Sequence, residues 1–481
     1  MKHLVFLSAI LVLGSISVNA QESPASEPRF IRSRVHAGST QTAATLDTDD
    51  VYWSALGNGM NSFVTALATG GSELYAGGIF DTAGGLSANR VAKWNGVQWL
   101  PLGSGMDSDV FALAVSGSNL YAGGHFTVAG GVSANRIAKW NGTQWAPLGT
   151  GMNNDVYTLA VIGSDLYAGG AFTTAGGVSA NRIAKWDGTQ WLPIGGGLNR
   201  AVNALVVIPN GAGGGDLYAG GYFMTAGGDS AKRIAKWNGT QWSPLGSGMD
   251  SPVSSLATIP NGTGQSDLYV GGGFTTAGGI TVNFVAKWNG AQWSALGSGT
   301  GSGVSALAVI GSGLYVGGDF TIAGGVSANR IAKWNGTQWS RLGSGTNEDV
   351  TSLAVSGNNL FVGGLFTTAG VTPSSFIARW SRPPTSVEER NATPEKFRLE
   401  QNYPNPFNPE TNIKYQIPST GNVMLKLYDM LGREVAMLVN EHKSPGTYTM
   451  TWDASGHSSG IYFYRLTAGS FVETKKLVLV R

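Results

Sequence analysis

Three polar residues stand at the same place in an internal repeat, directly after a Gly-Gly doublet. They are His125, Tyr222 and Asp319. One substrate needs one acid and one base, so a catalytic site in a repetitive chain has to use residues that differ between the copies. In the other copies the doublet is followed by Ile79, Ala171, Gly273 and Leu365. We therefore interpret the three polar residues as candidate ligand-binding residues, with ordinary variation at a tolerant position as the alternative.

Acidic residues in the loop before the first strand of some copies form a second candidate group. They are Asp107, Asp109, Glu348 and Asp349. Carboxylate oxygens are the ligands that Ca²⁺ prefers, so Asp107 with Asp109 is a candidate calcium pair. Short acidic pairs in turns more often shape the turn, and the sequence has no EF-hand loop. We predict no other cofactor, because the repeats contain a single histidine and the chain no cysteine, and we assign no catalytic residue.

The repeat itself occurs seven times between residues 51 and 380. Its leading tryptophans, 46 or 51 residues apart, are Trp53, Trp99, Trp145, Trp191, Trp242, Trp293 and Trp339. Each copy contains four short segments of strand character separated by Gly, Asn, Asp and Ser turns, which is typical of a propeller blade. A β-solenoid is the alternative. The region opens at 51–57 with an isolated copy of the tryptophan-containing fourth strand, and its last copy ends without a fourth strand. We therefore predict a seven-bladed β-propeller whose N-terminal strand completes the last blade.

Three residue types recur with the blades. Fourteen of the fifteen tryptophans fall at two repeat positions, for which we favour packing between blades over sugar stacking. A lysine recurs in the third strand, and we expect its stem to lie along the blade with the ammonium group exposed. Arginines at five equivalent positions, for example Arg90 and Arg136, are expected to bind backbone carbonyls. The Gly-Gly doublets lie within a strand pattern, which indicates close backbone approach rather than a phosphate loop.

The Gly-Gly doublet and the tryptophan pair around segments such as WNGTQW resemble kelch-type blades in all seven copies. This resemblance implies four-stranded blades and a kelch-like interaction scaffold. Two features depart from the kelch pattern. A phenylalanine stands two residues after the doublet, for example Phe80, and the loop AGGVSANR recurs.

Composition and the N-terminus restrict the partners and the compartment. Glycine accounts for 72 of 481 residues and 42% are apolar, which together favour a folded, strand-rich protein over long helices. The net charge of +2 gives no field to attract nucleic acid. Lys2, the apolar run 4–18 and Val18-Asn19-Ala20 predict a signal peptide, residues 1–20, cleaved after Ala20. We predict no transmembrane segment and a disordered leader over 21–50.

A Pro/Ser-rich, charged linker over 381–396 separates the repeats from a different module at 397–481. Six segments of this module have strand character, and several alternate apolar with polar residues. They are TNIKYQIP, VMLKLYDM, EVAMLVN, GTYTMTWD, GIYFYRL and FVETKKLVLV. Their number and spacing predict a small Ig-like β-sandwich.

Motifs spread over this module resemble the type IX secretion C-terminal sorting domain, type A. The residues that carry the resemblance are Asn402, Tyr403, Pro404, Asn405, Pro406, Phe407, Gly432, Gly446, Tyr448, Gly460, Tyr462, Lys475 and Lys476. FlgD-like Ig domains are similar and form the alternative label. The resemblance implies a Gram-negative cell, passage through the periplasm, and recognition of the module by the outer-membrane translocon. It also implies a protein that is released or attached at the cell surface.

Two classes of function remain open for the propeller. The first is a non-enzymatic binding or structural module with a glycan or surface-protein ligand, expected to act as a monomer. The second is a secreted carbohydrate-active enzyme, either a glycosidase or a lyase. A glycosidase needs two carboxylates near each other, so Asp319 or Glu348 facing a second acid would favour it.

Overall fold

Strands and tight turns account for almost every residue that the computed structural model describes, namely 47–209, 215–261, 265–381, 396–443 and 445–480. The chain divides into two units, residues 1–381 and 382–481. The predicted signal peptide with Ala20, most of the leader and most of the linker lie outside the described residues. Within the described ranges, no helix is long and apolar enough to cross a bilayer.

The first unit contains seven four-stranded antiparallel sheets, which are the predicted blades. The first strands are Val64–Gly70, Val110–Ser116, Val156–Ile162, Val202–Pro209, Val253–Pro260, Val304–Ile310 and Val350–Ser356. The second strands are Glu73–Gly78, Asn119–Gly124, Asp165–Gly170, Gly215–Gly221, Ser266–Gly272, Gly313–Gly318 and Asn359–Gly364. The third strands are Val91–Trp94, Ile137–Trp140, Ile183–Trp186, Ile234–Trp237, Val285–Trp288, Ile331–Trp334 and Ile377–Trp380.

The fourth strand of each blade is short and begins with a leading tryptophan. In blades 1 to 6 these strands are Trp99–Pro101, Trp145–Pro147, Trp191–Pro193, Trp242–Pro244, Trp293–Ala295 and Trp339–Arg341. Blade 7 takes its fourth strand, Trp53–Ala55, from the N-terminal end of the unit, with Trp53 opposite Trp380. The first strand of each blade contacts that of the next, and blade 7 contacts blade 1. The ring is therefore closed as the sequence predicts, without the free edges of a solenoid.

The chain just before the closing strand belongs to the propeller rather than to a disordered leader. Thr48–Tyr52 forms a 3₁₀ helix, and Asp50 is buried. The Asp50 carboxylate accepts hydrogen bonds from the amide and the hydroxyl of Ser344 at 2.6 and 2.7 Å. Asp47 Oδ2 also lies 2.7 Å from Arg341 Nε in the fourth strand of blade 6. The predicted leader boundary at residue 50 is thus too late, because this segment carries no strand pattern that would mark it.

The Gly-Gly doublets allow close backbone approach within a blade, as predicted, and also close approach to the next blade. A Cβ atom on Gly77 would lie 2.5 Å from a methyl group of Val110 in the next blade. A Cβ atom on Gly78 would lie 2.1 Å from the carbonyl oxygen of Phe63. The phenylalanine after the doublet fills the blade core, and all seven copies are completely buried. The phenylalanine that distinguishes these repeats from the kelch pattern is therefore a packing residue.

A two-stranded hairpin occupies the loop between the second and third strands of every blade. The seven hairpins are Thr82–Ala83 with Leu86–Ser87, Val128–Ala129 with Val132–Ser133, Thr174–Ala175 with Val178–Ser179, Thr225–Ala226 with Asp229–Ser230, Thr276–Ala277 with Ile280–Thr281, Ile322–Ala323 with Val326–Ser327, and Thr368–Ala369 with Thr372–Pro373.

The second unit is a sandwich of two antiparallel sheets, consistent with the predicted Ig-like fold. Its strands are β1 (Arg398–Leu399), β2 (Glu410–Ile417), β3 (Gly421–Tyr428), β4 (Glu434–Lys443), β5 (Gly446–Asp453), β6 (Gly460–Ala468) and β7 (Phe471–Leu479). One sheet has the order β1-β2-β5 and the other β4-β3-β6-β7. Alternate residues of both sheets, including Tyr415, Leu425 and Tyr464, form one core.

Candidate functional site

The loops that carry the variable residues meet on one face of the propeller. In each blade the loop before the first strand pairs with the hairpin loop, as in the bridge between Met106 and Ala129. The residue after the Gly-Gly doublet lies beside the loop before the first strand, because its amide donates a hydrogen bond to that loop. The amide of His125 donates to the carbonyl of Asp109 at 2.8 Å, and that of Tyr222 to Ala201 at 2.9 Å. We call this surface the variable face.

The residue before each third strand has a left-handed backbone in all seven blades. Five copies are arginine and two are phenylalanine, with φ between 63° and 71°. Such φ values are uncommon for bulky residues and need support from the surrounding structure. In blade 1 the Arg90 amide donates to Phe80, and the Arg90 carbonyl accepts from Gly78. The Arg90 guanidinium donates to the carbonyl of Ile79 at 2.9 Å, which confirms the predicted carbonyl contact.

These residues reach the boundary with the next blade, which we call a junction and number by its two blades. Each junction combines the residue after the doublet, the left-handed residue and a loop residue of the next blade. The sets are Ile79, Arg90, Asp109 (1/2); His125, Arg136, Asp155 (2/3); Ala171, Arg182, Ala201 (3/4); Tyr222, Arg233, Pro252 (4/5); Gly273, Phe284, Gly303 (5/6); Asp319, Arg330, Asp349 (6/7); and Leu365, Phe376, Phe63 (7/1).

At junction 2/3 a histidine and an arginine share one carboxylate. His125 Nδ1 lies 2.7 Å from Asp155 Oδ1, and Arg136 Nε lies 3.4 Å from the same oxygen. The His125 side chain is 53% exposed, whereas the Asp155 side chain is 15% exposed. The more buried Asp155 carboxylate therefore holds the imidazole of His125 in position, while the exposed part of the ring remains accessible to a ligand on the variable face.

Junction 6/7 brings together the predicted acids of blades 6 and 7. Arg330 Nε donates to Asp349 Oδ1 at 3.1 Å. Burial raises the pKa of Asp349 above its ordinary value, the neighbouring Arg330 opposes this, and the charges of Asp319 and Glu348 add to the increase. The charges of Asp319 and Glu348 thus act on the Asp349 carboxylate from the same junction.

Tyr222, the third candidate after a doublet, lies at junction 4/5 beside Arg233. Burial raises the pKa of the Tyr222 hydroxyl, and the positive charge of Arg233 acts against the increase. His125, Tyr222 and Asp319 therefore belong to three different junctions. Among the described residues, no hydrogen bond or ion pair joins any two of them, so they do not form one catalytic cluster.

Asp107 and Asp109 have separate roles. Asp107 accepts the amides of Thr127 and Val128 at 2.8 and 2.9 Å, and its other oxygen accepts the Thr127 hydroxyl. Burial opposes the charged form, but these bonds outweigh it and lower the pKa of Asp107. Asp109 lies at junction 1/2, 3.7 Å from Arg90. Both Asp107 oxygens are used within the turn, so a calcium ion shared with Asp109 would have to displace these bonds.

Sequence reasoning missed a ring of residues on the innermost strands. Every first strand carries a β-bulge between its first and third residues, as between Val64 and Ala66, and bulges re-aim side chains. The bulged residues are Thr65, Phe111, Tyr157, Asn203, Ser254, Ser305 and Thr351. The Phe111 and Tyr157 rings lie 5.9 Å apart. The variation of this position was visible in the sequence, but the bulge that sets its direction was not.

The recurring tryptophans pack in the interior of the propeller, and several recurring lysines form ion pairs within their own blade. Each leading tryptophan is buried, and its indole donates to a carbonyl of the preceding blade, as Trp99 does to Leu56 at 2.8 Å. This confirms the packing interpretation for the leading set, since a buried ring offers no surface for a sugar. Among the recurring lysines, Lys185 Nζ lies 2.8 Å from Asp165, and Lys236, Lys287 and Lys93 have equivalent acidic partners.

In the second unit, the segment 402–407 is attached to the last strand. The Asn402 side chain is buried and donates to the Thr411 hydroxyl at 2.9 Å. Asn405 Oδ1 accepts the amide of Val478 at 2.9 Å, and the Phe407 amide donates to the Val478 carbonyl. Tyr403, in contrast, is 81% exposed. Pro404 and Pro406 separate these residues, so the segment alternates anchored and exposed side chains.

The other predicted sorting residues lie on the strands and turns of the sandwich. Tyr448 stacks on Tyr415, while Tyr462 is buried and donates to the Ser458 carbonyl. Gly432 has a φ of 76° in the turn closed by Asp429. Gly446 and Gly460 begin β5 and β6. Lys475 and Lys476 lie on β7, where Lys475 pairs with Glu473 at 3.1 Å.

Residues 401–480 match the family model described as the secretion system C-terminal sorting domain. The second unit is a type IX sorting domain. The match includes every residue named for it above and confirms the resemblance seen in the sequence. Because this sorting domain marks secreted, cell-surface proteins, the chain is a secreted protein of that kind. The family model does not extend into the propeller, whose kelch-like character stays a prediction.

Several solved structures are similar to the chain at a low level. The β-propeller domain of the Trilobed protease from Pyrococcus furiosus, described as having an open velcro topology, is 9% identical with a TM-score of 0.40, covering 67% of this chain and 96% of that one. A fungal alcohol oxidase of the AA5 family, in complex with copper, is 11% identical with a TM-score of 0.41, covering 89% and 99%. The computationally designed Ika4 protein is 21% identical with a TM-score of 0.26, covering 38% and 94%. No curated protein matches the chain.

Proposed function

We propose that the propeller is a non-enzymatic binding module that recognises a glycan or protein ligand through its variable face. The observation that carries this proposal is the contrast between the blade cores and the junctions. The cores repeat the same phenylalanine, glycine doublet and tryptophan in every blade. The junctions instead combine an imidazole with a carboxylate, a phenol with a guanidinium, or two aromatic rings, as for Phe63 and Phe376 at 5.7 Å.

A closed ring of similar blades supplies a rigid scaffold, and its loops present different side chains around one centre. Binding sites of this kind need a few well-placed polar and aromatic groups rather than a reactive pair. His125, held by Asp155, supplies such a group, and the Phe111 and Tyr157 rings, which lie 5.9 Å from each other, supply others at blades 2 and 3. The sorting domain delivers this face to the outside of the cell.

The purified protein, applied to a glycan array and to labelled outer-membrane proteins, with and without calcium, tests the proposal. The decisive variant combines His125→Ala with Asp155→Ala, which gives junction 2/3 the residues that junction 3/4 already has, Ala171 and Ala201. We expect this variant to lose most of the binding. Lys139→Ala, on a third strand away from the junction residues, is the matched control and should bind normally. Binding that survives in every junction variant would contradict the proposal.

A second candidate function, glycoside cleavage, is favoured by junction 6/7. Burial raises the pKa of Asp349, and Asp319 and Glu348 lie near enough to add to the increase. Glycosidases use two neighbouring carboxyl groups whose environments move their pKa values apart. Release of reducing ends from a polysaccharide panel, abolished by Asp349→Asn and Asp319→Asn, would establish this activity. The Arg330 hydrogen bond, which engages Asp349, supports the binding proposal instead.

A further inference from the structure

Arg233 is the left-handed arginine of junction 4/5, and its charged group lacks the partner that three equivalent arginines have. The Nε atoms of Arg90, Arg136 and Arg330 lie 3.7, 3.4 and 3.1 Å from an aspartate oxygen of the next blade. At junction 4/5 the aspartate is replaced by Pro252. Within the described part of the chain, the buried Nε and Nη1 atoms of Arg233 have no hydrogen-bond partner.

Buried guanidinium N–H groups without a partner are costly, because they have lost water and gained no hydrogen bond in exchange. Burial lowers the pKa of Arg233, and the positive charge of the exposed Arg200 contributes to the decrease. Asp250 and Tyr222 act in the opposite direction. The Asp250 carboxylate, however, accepts the amides of Thr275 and Thr276 and the Thr275 hydroxyl, so it is engaged in its own turn.

Junction 3/4 provides an internal comparison. Arg182 also faces a blade without the aspartate, since Ala201 occupies that position. Its Nη1 atom nevertheless donates to the carbonyl of Ala171, as Nη1 of Arg90 and Arg136 does at the equivalent position. Arg182 thus keeps the carbonyl contact, and Arg330 keeps the aspartate. For Arg233, the Nε and Nη1 atoms that make these contacts elsewhere have neither partner among the described residues.

We propose that junction 4/5 binds a carboxylate group of the ligand, which takes the place of the aspartate that the protein supplies at junctions 1/2, 2/3 and 6/7. The fork of N–H donors on a guanidinium matches a carboxylate in shape and charge. Arg200 adds a second positive charge at the entrance, and the half-buried Tyr222 adds an aromatic wall with a hydroxyl. This inference rests on the proposed binding function and specifies the chemical class of the ligand.

Trifluoroacetate is the probe, because its ¹⁹F resonance broadens when the anion exchanges on and off a protein of this size. We expect saturable broadening with the full chain. Arg233→Gln should weaken the binding tenfold or more. Arg379→Gln removes a cation from a third strand, outside the junction residues, and should leave the binding unchanged.

Pro252→Asp is the sharper variant, because it restores the aspartate rather than deleting a group. Asp109, Asp155 and Asp349 show that this position accepts aspartate in three other blades. The new carboxylate should occupy Arg233 and abolish trifluoroacetate binding, while circular dichroism and the melting temperature show an intact fold. Should Arg233→Gln fail to fold, this variant still decides the question. Equal broadening by wild-type protein and Pro252→Asp would overturn the inference.

The two proposals fail separately. Loss of array binding in the junction 2/3 variant, together with no trifluoroacetate binding by the wild type, supports the variable face as a binding surface and overturns the carboxylate site. Trifluoroacetate binding that depends on Arg233 supports the carboxylate site, even where no array component is bound.

Discussion

Each blade of the propeller buries one phenylalanine completely, and the same contact recurs in seven places. In the sorting domain, by contrast, the core contacts are not repeated. Phe407, for example, packs on Trp452, the single tryptophan of this domain, with the ring centroids 5.5 Å apart. The difference decides how function can be found. In the repeated unit, departures from the repeat mark the variable face. In the unit without repeats, anchored and exposed residues alternate along one segment, and the family match identifies the role.

The largest expected effect tests whether the blades are equivalent. Replacing Phe172 with alanine should lower the free energy of unfolding by about 3–5 kcal/mol, because it removes a buried ring and leaves a cavity. The same substitution in any other blade, for example Phe320→Ala, should cost the same to within about 1 kcal/mol. Denaturant unfolding of the seven variants provides the measurement. A single blade that tolerates the change would break the equivalence.

The second prediction compares neighbours in the sorting domain. Asn402→Ala removes the amide that donates to Thr411 and Pro404, and should cost about 1–3 kcal/mol because buried polar groups lose their partners. Tyr403→Ala changes an exposed side chain and should leave the unfolding free energy unchanged. Thermal unfolding of the two variants measures this. If Tyr403→Ala also reduces the secreted amount at unchanged stability, the exposed ring is part of the sorting signal.

The third prediction concerns the contact between blades. Trp99→Phe keeps an aromatic ring but removes the indole N–H that donates to Leu56. We expect a cost of about 1–3 kcal/mol, because the buried carbonyl is left without that donor. Equilibrium unfolding compares it with Trp94→Phe, at the second recurring tryptophan position. Equal costs for the two variants would show that the indole hydrogen bond contributes nothing.

The fourth and smallest effect is the pH dependence at junction 6/7. Burial raises the pKa of Asp349 above its ordinary value of 3.8, so the folded protein holds this proton more tightly than the unfolded chain. The contribution to stability is complete below pH 3.8 and is lost as the pH rises through the folded pKa. Asp349→Asn should therefore flatten the stability profile in the range just above pH 3.8. An unchanged slope would indicate an unperturbed carboxylate.

The sequence was sufficient to predict the number of blades, the closing strand and the six long strands of the sorting domain, because repetition and alternation record which side chains are buried. It was insufficient for contacts that depend on the distance between blades. The pairing of His125 with Asp155 joins residues 30 positions apart across a junction. The bulges at Phe111 and Tyr157 are shifts in the hydrogen-bond register between two strands, and no residue type in the sequence predicts them. Asp50 falls within the predicted leader because its partner, Ser344, lies 294 residues away and no local pattern marks the contact.

The closing strand also imposes an order of events on the folding of the exported chain. Trp53 pairs with Trp380, so the first strand of the propeller in the sequence finds its partner only when the last strand is present. Until residues 377–380 arrive, blade 7 has no third strand and Trp53–Ala55 has no partner. In the sequence, residues 377–380 are followed by the linker and then by the sorting domain. Closure of the ring therefore needs the whole propeller sequence but none of the sorting domain.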